Sequence, residues 1–221
     1  MEAILRNPNT SDWISLVLLG SLLLMVLAKS TFYSRFLNFM ILPFNNKYIF
    51  MYNKKDRLFN WFNIFFTLLL LLNFSLFIYL AGDIIFSTGQ NYDIIRYGGI
   101  LLGLTLFWGL KILFQLGNGF IFNSKSTVSE IVFKKISYLN YSGIAMLLVN
   151  LLLHFVFRES KTILIIGVLV IFLINAIGWT TILRNHQKFI AGNFMYFILY
   201  LCALEIAPIV IIGGYLIERN L

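Results

Sequence analysis

Residues 61–81 read WFNIFFTLLLLLNFSLFIYLA. The run is continuously apolar and shows no two-residue alternation, whereas a closed barrel needs many alternating segments of ~10 residues. Its length is what an α-helix needs to cross ~30 Å of hydrocarbon. A helix also satisfies all of its own backbone hydrogen bonds where no water is available.

Five further stretches have the same character, at 12–28, 94–117, 136–157, 162–183 and 192–216. The chain is 60% hydrophobic and 12% charged, where a soluble domain runs nearer ~45–50% and ~25%. Disorder and a conventional soluble enzyme are excluded, because a globule this small cannot hide so much apolar surface. The expected fold class is all-α: one polytopic membrane domain, a bundle of six transmembrane helices, with an interfacial segment in the first cytoplasmic loop. No internal repeat is visible, and the one cysteine, Cys202, can form no disulfide within the chain.

The charges mark sidedness. One set of loops carries Lys29, Arg35, Lys47, Lys54, Lys55, Arg57, Lys125, Lys134, Lys135, Arg184 and Lys188; the other carries Arg6, Arg96, Arg158, Lys161 and Arg219. The positive-inside rule assigns the first set to the cytoplasm. An even helix count then places both termini in the periplasm of a bacterial inner membrane. Positive charge follows the first apolar run more than it precedes it, so that run reads as a retained helix and not as a signal peptide. Much of the net charge of +8 is thus topology. Spread over three loops without a motif, it gives no nucleic-acid surface.

The first cytoplasmic connection, 29–60, is long for a bundle loop. It holds Phe32, Phe36, Phe39, Met40, Ile41 and Phe44, then Tyr48 to Tyr52, then Lys54, Lys55 and Arg57. Short aromatic runs interleaved with cations suit a segment lying in the membrane interface. Two readings stand: a brace for the bundle, or a docking surface for anionic lipid or another membrane subunit, with Phe36, Phe39, Lys54, Lys55 and Arg57 as its contacts. His186, in the short connection Arg184 to Lys188, reads as a solvated loop residue.

Charged groups inside the apolar runs are functional candidates, since each costs about 2.5–3.5 kcal/mol at the bilayer centre. Two stand out, Lys111 and Glu205. At ~1.5 Å per residue, Glu205 lies about 20 Å from the cytoplasmic end of its run, level with Asn73 and Asn150. Lys111 lies about 9 Å from its own cytoplasmic end, level with Asn175, and His154 lies further outward. Glu205 has three fates: pairing with a cation, protonation, or accepting hydrogen bonds from amides. Pro208 removes a backbone donor and kinks the helix beside it. Gly99 with Gly103, and Ala203 with Ala207, form small-xxx-small pairs that favour close helix contact.

Catalytic and metal signatures are scarce. The histidines lie 32 positions apart on opposite sides of the membrane. Asp12, Asp56, Asp83 and Asp93 form no cluster able to hold Mg²⁺. Phosphate-binding glycine loops and nucleophile motifs are absent, and depth suggests no Ser–His pair. No catalytic residue, metal or cofactor is expected.

The segment Phe197-Ile-Leu-Tyr200-Leu-Cys202-Ala-Leu-Glu205-Ile-Ala-Pro208, together with Asp12-Trp13, resembles a family of small polytopic inner-membrane proteins of unknown function from Bacteroidota. The resemblance covers essentially the whole chain and rests mainly on the last apolar run. It implies a six-helix cytoplasmic-membrane protein marked by Glu205 and Pro208, and it brings no activity. The expected role is a non-enzymatic accessory or scaffold subunit of an envelope-biogenesis or protein-export complex, in contact with the bilayer and other membrane subunits. The alternative is a small proton- or ion-coupled transporter or channel using Glu205.

Overall fold

The computed structural model describes residues 12–45, 47–52, 60–86, 94–121, 125–157 and 160–185. Its helices are α1 (Asp12–Thr31), α2 (Tyr33–Met40), α3 (Lys47–Tyr52), α4 (Trp61–Phe86), α5 (Ile94–Ile121), α6 (Lys125–Leu151), a π-helical turn (Leu152–Val156) and α7 (Lys161–Asn185). No strand occurs among the described residues. Five helices are long and apolar enough to span a membrane: Asp12–Thr31, Trp61–Ile85, Ile94–Gly117, Val128–Val156 and Lys161–Asn185. The expected sixth span, 192–216, lies outside the described residues and takes Glu205, Pro208, Cys202 and the Ala203/Ala207 pair with it. Lys54, Lys55, Arg57 and His186 also fall outside.

Helices outrun their apolar cores, because backbone hydrogen bonding does not stop where hydrocarbon does. The largest difference is α6, which begins eleven residues before Ile136. Its polar start is supported by a 2.8 Å ion pair between Glu130 and Lys134, one turn apart, with the acid on the favoured N-terminal side. α1 runs on to Thr31, where the hydroxyls of Ser30 and Thr31 donate to the Leu27 carbonyl at 3.0 and 2.7 Å. At its far end α6 loosens: the Phe157 amide donates to the Leu152 carbonyl, five residues back, at 2.8 Å.

Burial separates the helices into two groups. About half of the spanning part of α4 (50%) and α6 (56%) is buried, against 22% for α1, 11% for α7 and 6% for α5. α4 packs against α1, α5 and α6, while α6 packs also against α5 and α7. In lipid no hydrophobic force draws helices together, so close backbone approach matters. Three glycines provide it. A Cβ on Gly143 would lie 3.0 Å from the Leu70 Cα, one on Gly167 2.7 Å from a Val149 methyl, and one on Gly178 2.7 Å from the Tyr138 ring. Gly99 and Gly103, the pair expected to make such a contact, have nothing within 4 Å among the described residues. Spacing alone did not mark the packed face.

The 29–60 connection is folded into the bundle. α2 and α3 press Phe36, Phe39, Leu42, Tyr48 and Ile49 against Phe62 and Phe66 of α4 and Phe133 of α6. Phe39 is 1% exposed, with ring centroids 4.6 Å from Phe66, 5.2 Å from Tyr48 and 5.5 Å from Phe62. The Arg35 guanidinium is buried over Tyr52 at 4.6 Å and Phe62 at 5.0 Å. Two polar ties finish the join: Tyr48 donates to the Asn63 Oδ1 at 3.2 Å, and Tyr141 to the Met40 carbonyl at 3.4 Å. Phe36 and Phe39 face inward, as the reading of the connection as a brace for the bundle requires. Outward aromatic residues of the connection include Tyr33, Phe44 and Phe50, 59%, 90% and 74% exposed.

Candidate functional site

Three polar groupings lie inside the bundle, and their surroundings differ. The first joins α4 to α6. Asn150, fully buried, donates from Nδ2 to the Asn73 backbone carbonyl at 2.9 Å, and Asn73 donates to the Leu69 carbonyl at 2.9 Å. Lower on the same helix pair, Asn140 Nδ2 donates to the Thr67 hydroxyl at 3.2 Å. The amide nitrogens are spent on backbone and side-chain partners within the protein, the usual way polar groups hold membrane helices together, while the Oδ1 atoms of Asn73 and Asn150 are buried without a partner among the described residues. Replacing Asn150 with Ala is expected to destabilise the bundle by about 0.5–1.5 kcal/mol. Reversible unfolding in mixed SDS and neutral detergent reads this, and a change of several kcal/mol would contradict a simple interhelical tie.

The second grouping is at the opposite end from α2 and α3. His154, in the π-helical turn, is buried and lies 3.3 Å from the Ser15 hydroxyl of α1 through Nε2. This corrects the expectation from depth that no serine meets a histidine. A rise per residue gives height but not the rotation that a π-turn adds, and the turn carries His154 onto α1. Near it, Trp13 packs edge-on to Tyr79 at 5.4 Å and against Tyr97 at 5.0 Å. Arg96 forms a 3.0 Å ion pair with Asp83, and its guanidinium lies 5.7 Å from the Tyr79 ring centroid. A nucleophilic serine needs more than its base: the base must be oriented and an oxyanion site must lie within ~3 Å of the reacting carbon. The grouping as described pins α1 to the end of α6 and the start of α5 to the end of α4.

The third grouping is a cleft of about 200 Å³ between α5, α6 and α7. Each helix offers one face to it. α5 contributes Trp108 and Lys111, three apart; α6 contributes Lys135, Tyr138 and Leu139; α7 contributes Asn175, Gly178, Trp179 and Ile182. These spacings of three and four residues are those of side chains stacked along one helix face. Gly178 shapes the cleft, since the missing side chain lets the Tyr138 ring sit against α7. The Lys135 ammonium lies 5.2 Å from the Trp179 ring centroid, and the Lys111 ammonium 5.8 Å from that of Phe107, within the range of a cation–π attraction. Asn175 donates from Nδ2 to the Ile171 carbonyl at 2.8 Å. Among the described residues that line it, the cleft has two cations and no carboxylate.

The structure thus joins Asn73 with Asn150, and Lys111 with Asn175, the two pairs that shared a depth. His154, in the π-helical turn, stands apart against Ser15 of α1. Lys135 is the residue that sequence reading misplaced: with the fourth span begun at Ile136, it counted as a loop charge. Glu130, Lys134 and Lys135 within six positions, at helical spacing with the apolar run behind them, were the available sign that the helix starts earlier. Among the described residues, no three His, Cys, Asp or Glu side chains come together as a metal site.

One family model matches residues 14–216, carrying the description Domain of unknown function (DUF4271). No curated protein and no solved structure matches the chain.

Proposed function

We propose, for a chain that belongs to this DUF4271 family, a non-enzymatic role as accessory or scaffold subunit of a complex in the bacterial inner membrane, serving envelope biogenesis or protein export. The observation behind the reading is the unequal use of the helices. α4 and α6 form the packed interior, while the most apolar 18-residue stretches of α5 and α7 are only 6% and 11% fully buried. Those two helices flank the lysine cleft. On this reading the lightly buried faces of α5 and α7 meet neighbours of the bundle. The cations of the 29–60 connection and of the first turns of α6 support a cytoplasmic position for the cleft, by the positive-inside rule.

The competing transporter reading needs a protonatable carboxylate working with intramembrane polar neighbours. Of the neighbours it would use, Asn150 is tied through its Nδ2 to the Asn73 backbone carbonyl, Asn73 donates within α4 to Leu69, and the Oδ1 atoms of both are buried without a partner among the described residues. Extraction of the tagged full chain from its own bacterial membrane in mild detergent tests the proposal. The expected species is larger than a 25.6 kDa protein in its detergent micelle, held by a defined set of partners and unaffected by Glu205→Gln. A monodisperse, partner-free monomer overturns it. So does a proton flux in proteoliposomes of the purified chain that Glu205→Gln abolishes, which would establish the transporter.

A further inference from the structure

Two amide oxygens at the α4–α6 join accept no hydrogen bond from the described residues: Asn73 Oδ1 and Asn150 Oδ1. Both residues are fully buried. Asn73 is the central residue of the spanning segment Trp61–Ile85, about 18 Å from either end. The two amide nitrogens each face a carbonyl at 2.9 Å, Asn150 Nδ2 that of Asn73 and Asn73 Nδ2 that of Leu69. A carbonyl can only accept, so neither amide can be turned over without setting oxygen against oxygen. The oxygens are therefore the atoms left over. An acceptor buried without a donor carries its whole desolvation cost, so each such atom calls for a donor.

The neighbouring side chains do not supply one. Leu69, Leu70, Leu76, Phe77, Met146 and Leu147, around the pair on the two helices, are buried and apolar. The nearby serines spend their protons on their own helices: Ser75 donates to the Leu72 carbonyl at 3.0 Å and Ser142 to that of Leu139 at 2.7 Å.

The missing partner must offer protons or positive charge, and it must be small. One turn from Asn73 the two helices are almost in backbone contact, with a Cβ on Gly143 only 3.0 Å from the Leu70 Cα. Hard metal cations gather six or more oxygens, and the join offers two uncommitted amide oxygens. An ammonium brings a charge to a depth where charge is costly. Water is neutral, gives two protons, and is the usual partner of buried polar groups that the chain leaves unpaired.

We propose that the α4–α6 join is a water-binding site at the middle of the membrane, where bound water donates to Asn73 Oδ1 and Asn150 Oδ1. This gives the Asn73 side chain a role across the interface. Its nitrogen bonds within its own helix, and Asn150 needs only the Asn73 backbone. Water links the two side chains nearly as well as a direct bond. The site does not rest on the scaffold reading, and loss of either leaves the other standing.

The test uses the full chain, with isotope-labelled asparagine, in lipid nanodiscs. NMR cross-relaxation from water to the side-chain amides is recorded, and a crystal grown from lipidic mesophase locates the donor. Cross peaks are expected at Asn73 and Asn150, with a water oxygen within about 3.0 Å of each Oδ1. Asn140, whose amide nitrogen and oxygen both face the Thr67 hydroxyl, should give none. Asn150→Leu removes one acceptor, and the Asn73 cross peak should fall about tenfold, the equivalent of one hydrogen bond. Replacing sodium by choline in the buffer should change nothing. Four results overturn the proposal: no cross peak at either asparagine, an Asn73 cross peak undiminished in Asn150→Leu, signals lost without sodium, or cross peaks that first appear in Glu205→Ala. The third would make the occupant a metal cation, and the last would make it the Glu205 carboxyl. The wild-type spectrum decides by itself should Asn150→Leu fail to fold.

Discussion

Phe39→Ala is expected to destabilise the protein by about 3–5 kcal/mol, the range for emptying a buried aromatic site. The phenyl ring is 1% exposed and is central to the α2–α3 cluster, with four neighbouring rings at centroid distances of 4.6 Å (Phe66), 5.2 Å (Tyr48), 5.5 Å (Phe62) and 5.8 Å (Tyr141). Those neighbours come from α3, α4 and α6, so the void left by alanine touches three helices at once. Rings from three backbones cannot close it without moving the helices. Edge-to-face pairs add about 0.5–1.5 kcal/mol each beyond burial. Phe39→Leu, which keeps most of the volume, should cost less than half as much. Phe44→Ala is the matched control: Phe44 is 90% exposed, and its truncation should change stability by less than about 0.5 kcal/mol. Reversible unfolding of the three variants in mixed SDS and neutral detergent decides the matter. Equal effects at positions 39 and 44 would show that α2 does not pack as described.

Gly178→Leu is expected to force α7 away from α6, and Gly178→Ala to cost about 1–3 kcal/mol by overpacking. A Cβ at this position would meet the Tyr138 ring carbon at 2.7 Å and the Tyr138 Cβ at 2.9 Å. Tyr138 is 2% exposed and holds its place between two helices, so the ring has little room to turn. Leucine adds three more carbons to the same clash. Because Trp179 and Asn175 lie on the same side of α7, the displacement opens the lysine cleft as well, and a shift in tryptophan emission should accompany the loss of stability. Gly103→Ala provides the contrast. Nothing lies within 4 Å of a Cβ there, and alanine is the better helix former by about 1 kcal/mol, so that variant should be neutral or slightly stabilising. A Gly178→Ala protein as stable as the wild type would refute the close α6–α7 contact.

How far these features were legible depends on what each one needs. Spanning helices need only length and apolarity, and the five described spans lie where the apolar runs are, within a few residues at most ends. The start of α6 was not legible from apolarity, because Lys125 to Lys135 form helix outside the hydrophobic run. The inward turn of the 29–60 connection carried a faint sign: Phe32, Phe36 and Phe39 recur at helical spacing, the mark of one buried face. Composition alone left the brace and the docking surface both open for Phe36 and Phe39. Lys111 could be named from its setting alone, and Asn175 from its depth. Lys135 needed the helix boundary, and Ser15 with His154 needed the rotation of the π-turn. Glycine spacing was uninformative for a physical reason: any pair four apart shares a face, but only a neighbour decides whether that face is used.

The aromatic wedge of α2 and α3 has a consequence for permeation. It lies across the ends of α1, α4 and α6, tied to α6 through Tyr141 and to α4 through Tyr48. A solute moving down the middle of those three helices would meet stacked rings and a buried guanidinium at the end of the path, with no small side chain to swing aside. Among the described residues, the middle of α1, α4 and α6 is therefore closed at this end by packed aromatic side chains.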